Sequence, residues 1–142
     1  MIRYEMSVHV TRPVEQVFAF LVDPEKLRMW QSNLVEAETL TSGPLRLGSR
    51  FREVRRLGQR ETEVLGEISE FELNQRLATK TSTKPDVRVS YSLASEQGGT
   101  RLSYRFEMLP TGLMWFLQPV ISSSIRKQSD MDLAGLKHLL EG

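Results

Sequence analysis

The sequence contains no cysteine and only two histidines, and these scarcities exclude several kinds of chemistry. Without cysteine there is no disulfide, no thiolate nucleophile and no cysteine-based zinc or iron–sulfur site. Two histidines cannot supply a three-histidine metal site. The 19 Lys and Arg against 18 Asp and Glu give a formal charge of +1, so no global positive field attracts nucleic acid or an anionic membrane. We therefore expect no metal, no cofactor and no nucleic-acid partner.

Long hydrophobic runs are also missing. The longest apolar run, residues 17–22, is far shorter than the roughly 20 residues that span a bilayer. The residues after Met1 begin an alternating pattern instead of the apolar stretch of a signal peptide. A chain of 142 residues is long enough to bury roughly two-thirds of its unfolded surface in one core. We expect a single domain over residues 1–142, no integral membrane segment and a cytoplasmic location.

The spacing of apolar residues predicts one strand and two short helices at the start of the chain. Residues 2–10 alternate between apolar and polar, which is typical of a half-buried strand. Residues 14–21 have their apolar side chains at helical spacing. Asp23 and Pro24 end this helix and begin a second one, with Leu27 and Trp30 on one face.

The remaining sequence predicts six further strands and a long C-terminal helix. Residues 34–109 alternate in segments that are separated by turn signals such as Gly58, Lys84-Pro85-Asp86 and residues 97–100. After Gly112 the pattern is helical, and Pro119 either kinks this helix or marks its start. Its apolar stripe consists of Leu117, Ile121, Ile125, Leu133, Leu136 and Leu140. The fold class is therefore α+β, with a seven-stranded antiparallel sheet.

The order of these elements, together with several short motifs, resembles the bacterial polyketide cyclase/dehydrase and lipid-transport family. The motifs are TRPVEQVFAFL at residues 11–21, DPEKL at 23–27 with Trp30, GSRF at 48–51, EISEF at 67–71, GGTRL at 98–102 and LKHLLE at 136–141. The resemblance covers essentially the whole chain. It implies the START/Bet v 1-like helix-grip fold, in which a curved seven-stranded sheet wraps around the long C-terminal helix. It also implies an internal cavity for apolar ligands, but it does not specify a reaction.

The alternation predicts which side chains line this interior. The first strand and the last two strands present bulky residues: Ile2, Tyr4, Met6, Val8, Val87, Val89, Tyr91, Leu93, Leu102, Tyr104, Phe106 and Met108. The middle strands present smaller or weakly polar ones: Val35, Ala37, Thr39, Thr62, Val64, Gly66, Ile68, Leu77, Thr79 and Thr81. Because protein interiors are close-packed, either the helix or a ligand must fill the space beside the small residues.

Glu53 and Arg55 are the most unusual candidates. If Phe51 and Leu57 face inward, the period of two also turns Glu53 and Arg55 inward, where the two charges neutralise each other. They would then orient a polar ligand group or serve as acid and electrophile. The alternative is that a bulge shifts the register or that this end of the strand is solvated. The opposite register would bury three arginines.

Four other side chains are candidates for the interior. Trp30 lies either at the cavity mouth or in the core. Tyr91 and Tyr104 are inward by alternation and are either structural or proton-handling groups. Gln128 either touches the cavity or flanks the apolar stripe of the helix. The full predicted ligand-binding set is Trp30, Phe51, Glu53, Arg55, Val64, Thr79, Tyr91, Tyr104, Ile121, Ile125 and Gln128.

Three functions fit these features. The favoured one is binding of a small hydrophobic molecule: a lipid, a polyketide-like compound or an aromatic compound. The second is a cyclase or dehydratase that uses Glu53, Arg55, Tyr91 and Tyr104 as catalytic groups. The third is a protein-interaction module, in which residues 113–116 form an exposed apolar patch, a homodimer contact or a lid.

Overall fold

The computed structural model describes residues 1–57 and 59–142, so Gly58, a predicted break between two strands, lies outside the described residues. The described residues form seven strands, three helices and a 3-10 turn. In chain order these are β1 (Ile2–Val10), α1 (Val14–Val22), α2 (Pro24–Trp30), β2 (Leu34–Thr39), β3 (Arg50–Leu57), β4 (Arg60–Glu72), β5 (Arg76–Thr81), β6 (Asp86–Glu96), β7 (Gly99–Leu109), the 3-10 turn (Gly112–Trp115) and α3 (Gln118–Glu141).

All seven strands described by the structure form one antiparallel sheet in the order β1-β7-β6-β5-β4-β3-β2. Strands β2 to β7 are therefore a meander, and β1 pairs with the last strand. Two short helices follow β1 and a long helix closes the chain, as the sequence predicts. The predicted helix-grip architecture is confirmed.

Two irregularities of register bend the sheet. One lies between Leu34 and Glu36 in β2, and the other lies between Ile68 and Glu70 in β4. An extra residue in one strand increases local twist and bends it. Leu34 is the buried residue opposite Arg55, whereas Val35, which was predicted to face inward, lies at the bulge and is half-buried.

Capping residues determine where the helices begin. The Asp23 carboxylate accepts a hydrogen bond from the Glu25 amide at 3.0 Å, and Pro24 follows at the first helical position. Pro119 lies in the first turn of α3, so it marks the start of that helix and does not kink it. Both features were visible in the sequence.

The core lies where α1 and the C-terminal half of α3 meet the sheet. Val10, Val17, Leu102 and Leu136 are almost completely inaccessible to solvent. At the other end of the molecule, the inward residues Val89 and Phe106 are only half-buried, although Ile2 is buried there. The inward face is therefore less shielded from solvent toward the beginning of α3.

The same change in burial divides the apolar stripe of α3. Leu133 and Leu136 are buried, whereas Ile121 and Ile125 are half-buried and Leu117 is exposed. The predicted apolar stripe is therefore fully buried only in the C-terminal half of the helix.

A polar contact joins the C-terminus of α3 to the connection between β1 and α1. Glu141 Oε2 accepts hydrogen bonds from the Thr11 amide at 2.8 Å and from Lys137 Nζ at 2.9 Å. Lys137 also donates to the carbonyl of His9. The Lys137 ammonium and the Thr11 amide lower the pKa of Glu141 to about 2, because both favour the charged carboxylate.

We expect this contact to make stability depend on pH in the acid range. Glu141 has a lower pKa in the folded than in the unfolded chain, so its contribution is complete above the ordinary glutamate pKa and is lost as pH falls toward 2. Urea unfolding of the wild type and of Glu141→Gln at pH 7 and pH 3 tests this. The difference in unfolding free energy between the two proteins should shrink at pH 3. Substitution of the exposed Glu72 by Gln is the control, and an equal shrinkage there would contradict the assignment.

Candidate functional site

The link between α2 and β2 contains three consecutive polar residues, of which Gln31 is buried, Asn33 is half-buried and Ser32 is exposed. The Gln31 amide caps α2 by donating to the carbonyl of Leu27 at 2.9 Å. The side chains of Gln31 and Asn33 then reach toward β3, whereas Ser32 reaches α3. This link therefore takes part in two polar clusters, one with β3 and one with α3.

The first group, the Arg55 cluster, consists of Gln31, Asn33, Glu53 and Arg55. The guanidinium donates through Nε and Nη2 to Glu53 Oε1, at 3.0 and 2.8 Å. It also donates to Asn33 Oδ1 at 2.9 Å and to Gln31 Oε1 at 2.7 Å. The side chains of Glu53 and Arg55 are 14% and 26% exposed. Because the guanidinium donates four hydrogen bonds to oxygen acceptors, the cost of its partial desolvation is well compensated.

The structure places Glu53 and Arg55 on the interior face, with Phe51 two residues earlier. Phe51 packs against the core, and Glu53 lines a cavity beside it. Leu57 does not follow this pattern and is exposed, so the predicted inward run ends at Arg55. Both contacts from Arg55 use one oxygen of Glu53, which leaves Oε2 outside the pairing.

The second group, the Asp132 cluster, consists of Ser32, Gln128 and Asp132. Asp132 Oδ1 accepts from the Ser32 amide at 3.2 Å, from the Ser32 hydroxyl at 3.0 Å and from Gln128 Nε2 at 3.1 Å. Gln128 also contacts the Ser32 hydroxyl. The cluster therefore fixes α3 against the α2–β2 link, and Gln128 is half-buried at this joint.

Tyr91 and Tyr104 form a tyrosine pair between the two clusters and the core. Their ring centroids are 5.5 Å apart, and Trp30 meets Tyr91 edge-on at 6.4 Å. The Tyr104 hydroxyl lies 3.3 Å from the hydroxyl of Ser129 on α3. Trp30 is buried and donates from Nε1 to the carbonyl of Phe20 at 3.1 Å, so it lies in the core and not at a mouth.

Burial controls the protonation of the tyrosine pair. Desolvation raises the pKa of Tyr91 well above its ordinary value, and the neighbouring Tyr104 adds to the effect. Desolvation also raises the pKa of Tyr104, although its contact with Ser129 opposes this. Both hydroxyls therefore keep their protons at neutral pH and can donate hydrogen bonds.

A small cavity of about 60 Å³ lies between α1, α2 and the middle strands. Its lining is mainly apolar and includes Leu21, Leu27, Phe51 and Leu77, with Glu53 and Thr79 as polar groups. Pockets for drug-sized ligands are typically about 300–1,000 Å³. This cavity alone therefore accommodates only a ligand terminus or about two water molecules.

Several apolar residues of the inward face and of the first half of α3 are only half-buried. Val87 and Val89 on β6 and Phe106 and Met108 on β7 are half-buried members of the inward face. Ile121 and Ile125 on α3 are also half-buried. Val64, opposite Glu53 on β4, is half-buried as well. The predicted ligand-binding residues are thus divided between these half-buried positions, the small cavity and the polar clusters.

Sequence reasoning missed the three link residues. The signal was a run of polar residues, Gln31-Ser32-Asn33, directly between a helix that ends in tryptophan and an apolar strand. Because the run contains no glycine or proline, it was not typical of a simple turn. Its contacts join residues about 20 and 100 positions apart, which no local pattern specifies.

Comparison with known proteins identifies one family and one fold. The family model described as polyketide cyclase/dehydrase and lipid transport matches residues 1–141. A comparison with curated protein sequences finds no significant match.

Three solved structures illustrate the similarity of the fold. The protein TTHA0849 from Thermus thermophilus has a TM-score of 0.81 at 16% identity, covering 96% of this chain and 94% of the other. A START superfamily protein from Mycobacterium smegmatis has a TM-score of 0.79 at 13% identity, covering 98% and 97%. Ara h 8.0201 has a TM-score of 0.72 at 13% identity, covering 97% and 96%. At these identities the likeness concerns the fold alone.

Proposed function

Because the chain belongs to the polyketide cyclase/dehydrase and lipid transport family, we propose that it binds a small hydrophobic molecule as a single START/Bet v 1-like domain of residues 1–142. The binding region is the interior between the sheet and α3, and the candidate ligands are lipids, polyketide-like compounds and aromatic compounds. The observation that carries the proposal is the incomplete burial of inward apolar residues such as Val89, Phe106 and Ile125. Since protein interiors pack to crystal-like density, a ligand would complete this packing.

The polar clusters give the proposed ligand a defined orientation. An apolar body lies against Ile121, Ile125 and the ends of β6 and β7. A polar group faces the Glu53 carboxylate and the tyrosine pair, which offer an acceptor and two donors. One end of the molecule enters the small cavity beside Phe51 and Thr79. The proposed set remains Trp30, Phe51, Glu53, Arg55, Val64, Thr79, Tyr91, Tyr104, Ile121, Ile125 and Gln128, with Trp30 as a buried wall.

Binding is tested with a fluorescent apolar dye that is displaced by oleic acid or by 1,8-dihydroxyanthraquinone. We expect Ile125→Trp to weaken binding about tenfold or more, because the added ring occupies the half-open apolar surface. A loss of roughly 1.4 kcal/mol corresponds to that factor and to about 55 Å² of apolar contact.

Met131→Trp is the matched control, because it adds the same ring to an exposed position of the same helix. It should leave binding unchanged. Equal effects of the two substitutions, or no binding of any probe to the wild type, would overturn the proposal.

One observation favours an enzymatic alternative. Glu53 and Arg55 face the interior, and their charges act on Tyr91, so the four candidate catalytic groups lie in one region. A cyclase or dehydratase needs a base and an acid that converge on the substrate. In this alternative the Glu53 carboxylate accepts a proton, and a protonated tyrosine donates one. Loss of water or ring closure in a bound polyketide-like compound, followed by mass spectrometry, distinguishes this alternative from simple binding.

A further inference from the structure

The connection between β7 and α3 carries an exposed apolar group of side chains, which we name the apolar tip: Leu113, Trp115, Phe116, Leu117 and Val120. Leu113 is 78% exposed and Phe116 is 83% exposed. Isolated exposed apolar residues are ordinary, but a contiguous group of this kind marks an interaction surface. Because consecutive apolar residues surround the chain on all sides, the interior cannot bury them all.

Three backbone amides of the apolar tip are hydrogen-bonded within this turn. The amides of Met114, Phe116 and Leu117 donate to the carbonyls of Thr111, Leu113 and Met114 at 3.0–3.1 Å. The turn starts at Gly112, whose φ of +54° is a left-handed conformation that glycine adopts readily. A backbone amide without a hydrogen-bond partner is costly in an apolar environment. Because these amides are paired, the turn can move from water into an apolar environment at little cost in backbone hydrogen bonding.

The chain segment that carries the apolar tip has charges of one sign, although Asp86 on β6 lies opposite Leu109 and Asp130 follows the segment. Residues 108–129 contain no Asp or Glu, and their only charged residues are Arg126 and Lys127. Neither forms an ion pair within the part of the chain that the structure describes, although Arg126 lies 5.3 Å from the ring centroid of Tyr4. Lys127 follows Val120 at a helical spacing of seven, which places it about 10 Å further along one face of α3.

From this combination we propose that the apolar tip docks the protein on the surface of an anionic lipid bilayer. Trp115, Phe116 and Leu113 enter the interfacial region, whose depth is about 5–10 Å, while Arg126 and Lys127 meet the lipid phosphates. A second copy of the chain fits the surface less well. A two-fold contact between tips brings two positive segments together without an acidic counterpart. The proposal is independent of what the interior binds.

The test is co-sedimentation with vesicles of phosphatidylcholine alone and of phosphatidylcholine mixed with phosphatidylglycerol. We expect the wild type to bind the anionic vesicles and Arg126→Gln/Lys127→Gln to bind them ~30-fold more weakly, since each cation near the surface contributes about fivefold. The double variant Leu113→Ser/Phe116→Ser should lose ~100-fold or more of the affinity. Trp115 fluorescence should shift to the blue on the anionic vesicles, and Trp115→Phe should remove this shift.

Leu47→Ser/Leu73→Ser is the matched control, because these leucines are 65% and 67% exposed elsewhere on the surface. It should bind like the wild type. Failure of the wild type to bind anionic vesicles, or wild-type binding by Leu113→Ser/Phe116→Ser, would overturn the proposal. So would a concentration-dependent dimer that this double variant abolishes in the absence of vesicle binding, because a second copy would then cover the tip.

Discussion

Replacement of Gly99 by alanine should destabilise the protein by ~3 kcal/mol or more, which is at the upper end of overpacking costs. Gly99 begins β7, directly beside the end of β1. An added Cβ would lie 2.0 Å from the carbonyl oxygen of Val10 and 2.9 Å from Cα of Thr11. Both atoms belong to the backbone, and Val10 is fully buried, so neither can move aside without disrupting the β1–β7 pairing.

Gly98→Ala provides the comparison, because the neighbouring glycine has no atom near its added Cβ. Its φ of +73° makes alanine strained there for a conformational reason, at a cost of about 1–2 kcal/mol. Urea unfolding should rank the wild type above Gly98→Ala, and Gly98→Ala above Gly99→Ala. Equal losses for the two variants would mean that the close approach to Val10 is not the dominant effect.

Local rules predicted the elements whose causes are local. Alternation over β6 and β7 and the Gly98-Gly99 hairpin gave both strands correctly, and Asp23-Pro24 located the start of α2. The family that the motifs resemble is confirmed by the match over residues 1–141. In these places one residue type has one favoured geometry, so the pattern and the structure agree.

Register and depth of burial were harder to predict. Leu34 and Val35 are both apolar, so the sequence pattern cannot indicate which of them a bulge turns inward. Leu57 fits the alternation of β3 but lies at the end of the strand and is exposed. The stripe of α3 has helical spacing throughout, yet Ile121 and Ile125 are less buried than Leu133 and Leu136. The register of a strand and the burial of a side chain depend on the residues that pack against it, which the local sequence pattern does not contain.

In the candidate site, too, local patterns predicted some features and not others. Period two placed Glu53 and Arg55 on one interior face, but it could not supply Gln31 and Asn33, which bind the guanidinium from a distant link. Without those contacts, an inward arginine was hard to justify on energetic grounds. Buried polar networks are specified by their complete set of partners, and such a set is assembled only by the tertiary fold.

Replacement of Arg55 by methionine should destabilise the protein by ~2–3 kcal/mol. The substitution leaves the Glu53 carboxylate, Gln31 and Asn33 without the cation that joins them. Breaking a fully buried ion pair costs about 3–5 kcal/mol, and the residual exposure of both side chains lowers that figure here. Glu53→Gln should cost less, because Arg55 keeps its contacts to the two amides. Urea unfolding measures both losses.

The double variant Glu53→Gln/Arg55→Met should be more stable than Arg55→Met alone, because no unpaired charge remains in the interior. Ligand binding by this variant then tests whether Glu53 and Arg55 orient a polar ligand group or only join the α2–β2 link to the sheet. If the pair orients a polar ligand group, 1,8-dihydroxyanthraquinone should bind this variant about tenfold more weakly, whereas anthracene, which lacks the oxygens, should bind as it does to the wild type. An unchanged preference between these two compounds would mean that Glu53 and Arg55 serve only to join the α2–β2 link to the sheet.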